Sequence, residues 1–138
     1  MPSREKVFLV VREWVEKAEH DLHTAVHMLA LGGAAPTDIV CFHAQQCIEK
    51  YLKSVLVLYQ IPVPKTHDIE KVHSLIPDRD RFTMTADEMR TMTAYATDTR
   101  YPAFEEISLE DARKAVALAE RIRNAVRKIL PPEIDKPK

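Results

Sequence analysis

Glycine is nearly absent from this chain: among 138 residues there are two, Gly32 and Gly33, side by side. Two adjacent glycines cannot form a Gly-rich loop that cradles phosphates, so a mononucleotide-loop enzyme is excluded. Cysteine is equally scarce, with Cys41 and Cys47 alone. Six residues apart on one helix, they are separated by about 9 Å of rise. That does not suit a disulfide, so they are expected as small core or interface residues in a reducing compartment. Neither is set up by its neighbours as an activated nucleophile. No stretch reaches the roughly 20 apolar residues of a membrane span, and the N-terminus lacks the pattern of a signal peptide, so a cytoplasmic protein without membrane contact is expected. A formal net charge of -1 supplies no field that would steer the whole molecule toward nucleic acid or an acidic surface.

What is present is helix-forming. Hydrophobic residues make up 46% and charged ones 30%, with abundant Ala, Leu, Glu, Lys and Arg, which describes one globular, all-α domain. Val7, Val11, Trp14, Ala18, Leu22, Ala25 and Leu29 recur at three- and four-residue spacing, so a helix is expected from Arg4 to Leu31, ended by Gly32-Gly33. A second runs from Pro36-Thr37-Asp38 to Tyr59. Its apolar arc of Val40, Ala44, Cys47, Ile48, Tyr51, Leu52, Val55 and Leu58 is wide enough for the central helix. Thr66 or His67 is the expected cap of a short helix holding Ile69, Val72 and Leu75 and closed by Pro77, and Asp78 to Arg81 reads as a charged connector. Thr85 with Glu88 has capping-box spacing for a fourth helix through Met89, Met92 and Tyr95. Ser108 with Asp111 opens the last, whose inner face is Ala112, Ala115, Ala119, Ile122, Val126 and Ile129. The expected architecture is an up-and-down helical bundle of three long and two short helices, residues 1–130, with a flexible tail over 131–138.

Three polar residues interrupt the apolar faces. Asp21 points to the core edge of helix one. Gln45 and Glu49 sit beside Leu52 and Leu56 on helix two, away from the solvent stripe expected at His43, Gln46, Lys50 and Lys53. A buried charge needs a partner, and Arg100 can grip a carboxylate with two parallel hydrogen bonds. Two readings stand: a satisfied network that fixes helix register, or a polar cleft in which Arg100 or Lys65 holds a phosphate.

His20, His23 and His27 share the outer face of helix one with Glu16. Their spacing suits metal ligation, but the third ligand and Glu of a zincin motif are missing, so a solvated or dimer-facing stripe is expected and no metal or cofactor. Arg113, Lys114, Arg121, Arg123, Arg127 and Lys128 make the last helix basic. Such a row can track phosphates, yet no aromatic platform accompanies it, and a solvated face is expected ahead of nucleic-acid binding.

In order along the chain, Trp14, Ala18, Asp21-Leu22 and Ala25, then Cys41-Phe42-His43-Ala44-Gln45-Gln46-Cys47-Ile48-Glu49-Lys50, then Lys65-Thr66-His67-Asp68-Ile69, then Asp98-Thr99-Arg100-Tyr101-Pro102, resemble the HEPN domain over roughly residues 8–128. The resemblance implies a helical bundle that forms a homodimer, is often encoded beside a minimal nucleotidyltransferase, and has been linked to nucleotide binding. Many members are metal-independent ribonucleases of toxin-antitoxin or defence modules, which use an Arg followed four to six residues later by His. This sequence departs from that branch. Arg12 and His20, with seven residues between them, are the nearest miss, His67 follows Lys65, and no histidine lies beyond His73. The expectation is therefore a binding or regulatory subunit without catalytic residues, whose ligand site comprises Lys65 and Arg100 as anion contacts, His67 as a hydrogen-bond donor, and Asp21 and Glu49 orienting Arg100. The alternatives are a divergent ribonuclease combining His67 with Arg100, and a purely structural dimerisation module.

Overall fold

The structure, a computed structural model, describes residues 2–97 and 106–135. Five α-helices follow in order: α1 (Arg4–Leu29), α2 (Thr37–Leu58), α3 (Ile69–Ser74), α4 (Ala86–Thr97) and α5 (Leu109–Ile129). No strand occurs among the described residues. The all-α bundle expected from the periodicity is present, with α1, α2 and α5 as its long members. α2 is the central helix and packs against α1, α3, α4 and α5. Its apolar arc is covered almost completely: Val40, Ala44, Cys47, Ile48, Tyr51, Leu52, Val55 and Leu56 are all at zero exposure.

The helix ends obey local chemistry. Ser3 accepts from the Lys6 amide, and Ser108 from the Asp111 amide at 3.0 Å. Thr85 and Glu88 form the reciprocal capping box, at 3.0 and 2.9 Å. At α3 the cap is neither Thr66 nor His67 but Asp68, whose carboxylate accepts from the Lys71 amide at 3.3 Å. Trp14 is half-buried rather than a core residue, and Val15 takes the inward position. Ile76 is likewise the buried partner of Val72, while Leu75 faces out.

Both cysteines are fully buried and free. Burial pushes the Cys41 thiol up to about 12 and the Cys47 thiol higher still, which keeps both protonated and unreactive. Within the 131–138 segment, Pro132–Asp135 form a 3-10 turn against α1, where Ile134 is buried and Arg12 donates to the Glu133 carbonyl at 2.6 Å.

The end of α2 sets up the loop that matters for the site. Gln60 adopts the left-handed conformation, φ 56°, while Gln60 N–H bonds Val57 O and Ile61 N–H bonds Leu56 O, both at 2.9 Å. This is the helix-terminating arrangement that normally takes glycine. It turns the chain so that residues 61–68 run back along α2. Because an L-residue is strained there, Gln60→Gly is expected to raise stability by about 0.5–1 kcal/mol in urea denaturation; an unchanged or lower stability would contradict this account of the turn.

Candidate functional site

Glu49 lies near the middle of α2 at 3% exposure. Its carboxylate accepts from three donors: His67 Nδ1 at 2.8 Å and Gln45 Nε2 at 3.1 Å on Oε1, and Lys53 Nζ at 3.0 Å on Oε2. Lys53 Nζ also donates to Thr66 O at 3.0 Å, and Gln45 Nε2 contacts His67 O at 3.3 Å. The returning 61–68 loop is thus bound to α2 through one buried ion pair and its ligands. Spacing of four residues explains the α2 half, since Gln45, Glu49 and Lys53 succeed each other one turn apart.

Asp21 belongs to a different cluster. Its Oδ1 lies 2.8 Å from His43 Nδ1 and its Oδ2 2.5 Å from Lys50 Nζ, tying α1 to α2. One turn along the same helix pair, Lys53 Nζ sits 5.7 Å above the Trp14 ring. The stripe His43, Gln46, Lys50 and Lys53 is therefore not a solvent face. Gln46 and Lys53 are buried, His43 and Lys50 partly so, because α1 closes over one side of the row and the 61–68 loop over the other. Gln46 Nε2 donates to Gln45 Oε1 at 2.6 Å, which joins the row to the Glu49 cluster.

Of the residues predicted to form a site, the fold brings Glu49 and His67 together and gives Asp21 to His43 and Lys50. Lys65 is exposed two residues before His67 and has no polar partner among the described residues. Arg100 lies outside the described residues. The partners that the two carboxylates required are thus Lys53 with His67, and Lys50 with His43, each found on α2 itself or on the adjoining loop.

A third polar cluster is not visible in the sequence pattern. The Tyr51 hydroxyl donates to Glu19 at 2.5 Å, and Arg123 Nε donates to the same carboxylate at 2.7 Å. Burial works to raise the Glu19 carboxyl, but the hydrogen bonds from Arg123 and Tyr51 and the guanidinium charges outweigh it and hold it below the ordinary range. Arg127 reaches Asp135 at 2.5 Å, and Arg121 holds Glu88 at 3.2 Å. Four of the six cations counted on α5 meet carboxylates of the chain: Arg121, Arg123 and Arg127 those of other segments, and Lys114 that of Glu110 on its own helix at 3.5 Å. The basic helix is a fastening for α1, α4 and the C-terminal turn, which removes half of the row that could have tracked phosphates.

His20, His23 and His27 are exposed, the latter two with rings stacked at 6.3 Å between centroids. Among the described residues no group of three or more His, Cys, Asp or Glu is arranged to hold a metal ion, and no helix is long and apolar enough to cross a membrane. A recess of about 590 Å³ lies between α4 and α5, lined by Glu88, Met92, Tyr95, Asp111, Lys114 and Leu118 among others. None of the predicted site residues lines it, so the candidate site is defined by the chemistry of the α2 row rather than by concavity.

The HEPN domain family model matches residues 11–129. The chain belongs to the HEPN family. No curated protein matches it. The crystal structure of TT1696 from Thermus thermophilus is similar to this HEPN chain, with a TM-score of 0.71 at 27% identity, the match covering 87% of this chain and 98% of that one.

Within this HEPN fold, Glu49 is the group on which the site geometry hangs. Replacing it by Gln removes the counterion of a buried lysine while preserving shape. Glu49→Gln is expected to cost about 3 kcal/mol, the scale for breaking one side of a buried pair, measured by urea denaturation at neutral pH. A loss below about 1 kcal/mol, the worth of an exposed pair, would mean that Lys53 finds water instead.

Proposed function

We propose that this HEPN chain is a non-catalytic binding or regulatory subunit, a homodimer that takes a nucleotide by its phosphates at the edge formed by Lys65 and His67 and serves a minimal nucleotidyltransferase partner. The observation that carries the reading is the Glu49–His67 pair. A carboxylate at 4% side-chain exposure fixes Nδ1 of a ring that is itself 57% exposed, so Nε2 is the atom left to meet a ligand. A phosphate oxygen accepts from Nε2 when that nitrogen bears a proton. The imidazolium is then held between Glu49 and the ligand, with the Lys65 ammonium adjacent to supply a second positive charge. Arg100 joins the site in this reading through the Asp98-Thr99-Arg100-Tyr101-Pro102 block of the sequence. The dimer and the transferase partner are carried over from the family resemblance.

The same pair favours one second reading. A carboxylate holding Nδ1 of a histidine and leaving Nε2 outward is the arrangement of a general base, as a divergent ribonuclease would need. The missing Arg-to-His spacing weighs against it, because the guanidinium that would stabilise phosphorane charge is not delivered by the motif.

Thermal denaturation of the purified protein with ATP, other nucleotides and short RNA separates these readings. A ligand at 100 times its Kd stabilises the native state by about 2.7 kcal/mol. A nucleotide-specific rise in Tm, lost in Lys65→Ala, His67→Ala and Arg100→Ala, is the expected result. RNA cleavage or growth arrest relieved by His67→Ala would favour the ribonuclease. Absence of any shift would leave a dimerisation module in which Glu49 is internal glue.

A further inference from the structure

His73, the last inward residue of α3, is a buried titratable group outside the site described above. It is at 9% exposure, and its Nε2 accepts the backbone N–H of Phe82 at 3.0 Å. A buried amide thus depends on an imidazole lone pair. The bond requires the neutral ring with its proton on Nδ1, because an imidazolium has donors on both nitrogens and no lone pair to offer.

The surroundings of the ring oppose a charge on it. Burial, the largest influence, and the Arg81 guanidinium hold the imidazole below the ordinary histidine range. Arg81 is fixed in place, since its Nε donates to Ile76 O at 2.9 Å and its Nη2 to Ser74 O at 2.8 Å, satisfying carbonyls at and just beyond the end of α3. No carboxylate is bonded to the ring among the described residues. Asp78 pairs with Arg81 at 2.6 Å, Asp80 accepts from the Tyr59 hydroxyl at the end of α2 at 2.7 Å, and Glu70 of α3 is held by Arg90 of α4 at 3.2 Å. Lys71, the remaining charge of α3, is exposed. A proton added to His73 therefore meets a fixed cation and no neutralising acid.

The segment that His73 holds is short and bounded. At its far end Thr83 O accepts from Arg121 of α5 at 2.9 Å, and the Thr85–Glu88 capping box opens α4. Between the anchors Ile76 is fully buried and Phe82 nearly so, with the Phe82 ring 6.4 Å from that of His73. A charged ring would leave the buried Phe82 amide facing a second donor, so protonation and closure are incompatible.

We propose that residues 75–82 form an acid-operated latch: neutral His73 holds Phe82 in, and a solvent proton taken up on Nε2 breaks that bond and releases the segment while the helices stay folded. The latch is independent of any ligand at His67. In the open segment His73 meets water and titrates near its ordinary value, so the closed state binds fewer protons than the open one. Closure is then fully stable above about pH 6.5 and weakens as the pH falls toward the lowered value.

Native-state amide exchange of the whole chain, read at Phe82 and at Ala119 in the α5 core from about pH 8 to about pH 5, tests this. With each rate divided by that of the unfolded chain at the same pH, Phe82 protection is expected to be constant above about pH 6.5 and to fall by up to about tenfold per pH unit below it, the slope of one proton. Ala119 protection is expected to hold. His73→Gln offers an amide oxygen in the place of Nε2 and does not titrate, so Phe82 protection in this variant is expected not to vary with pH. Constant Phe82 protection in the wild type, an equal fall in His73→Gln, or an equal fall at Ala119 overturns the proposal. Should His73→Gln not fold, the ¹⁵N titration of His73 in the wild type decides: a midpoint below about pH 6.5 together with the fall at Phe82 supports the latch, and a midpoint at or above it overturns it.

Discussion

A carboxylate at 3% exposure on the central helix cannot remain charged without donors, and the satisfaction of Glu49 organises one side of this molecule. Its lysine comes from the same helix, one turn on, and its imidazole from a loop that has to be folded back to reach it. That loop reaches α2 because the left-handed Gln60 reverses the chain at the helix end. The energetic demand of one buried charge thus reaches into the backbone conformation beyond the end of its own helix and leaves an imidazole ring presented to solvent in a fixed orientation.

The same solution appears at each junction of the bundle. Asp21 joins α1 to α2 through His43 and Lys50, and Glu19 joins α1 to α2 and α5 through Tyr51 and Arg123. Arg121 and Arg127 extend the pattern to α4 and to the turn at Pro132–Asp135. No buried side-chain polar atom of the described residues is left without a partner. The clusters differ in their donors. Around Glu19 the donors are arginines and a buried tyrosine, which fasten helices together. Around Asp21 and Glu49 a lysine and a histidine take their place, the histidine held through Nδ1.

Much of the fold is legible locally. Apolar spacing locates all five helices, and Thr85 with Glu88 and Ser108 mark boundaries that depend only on neighbouring residues, whereas α1 stops at Leu29, short of Gly32-Gly33, which open a 3-10 turn of their own. The need of Asp21 and Glu49 for partners is also legible, because a helical wheel shows which side chains point inward. Which partners they take is not. Gln46 and Lys53 lie on a face that looks polar on the wheel, and only the return of the 61–68 loop and the crossing of α1 bury it. A guanidinium is the best single partner for a carboxylate, which points to Arg100, outside the described residues; among the described residues each acid receives a lysine and an imidazole. The basic run on α5 looks like an outward surface for the same reason: Glu19, Glu88 and Asp135, which absorb half of it, come from three distant segments.

The claim that Glu49 fixes His67 with Nε2 outward is tested most directly by two-bond ¹H–¹⁵N NMR of the histidine side chains, above the pH range in which histidine is protonated. The account predicts that neutral His67 carries its proton on Nδ1, and that this preference is lost in Glu49→Gln. A neutral His67 protonated on Nε2, or one that averages between tautomers as a free imidazole does, would contradict it.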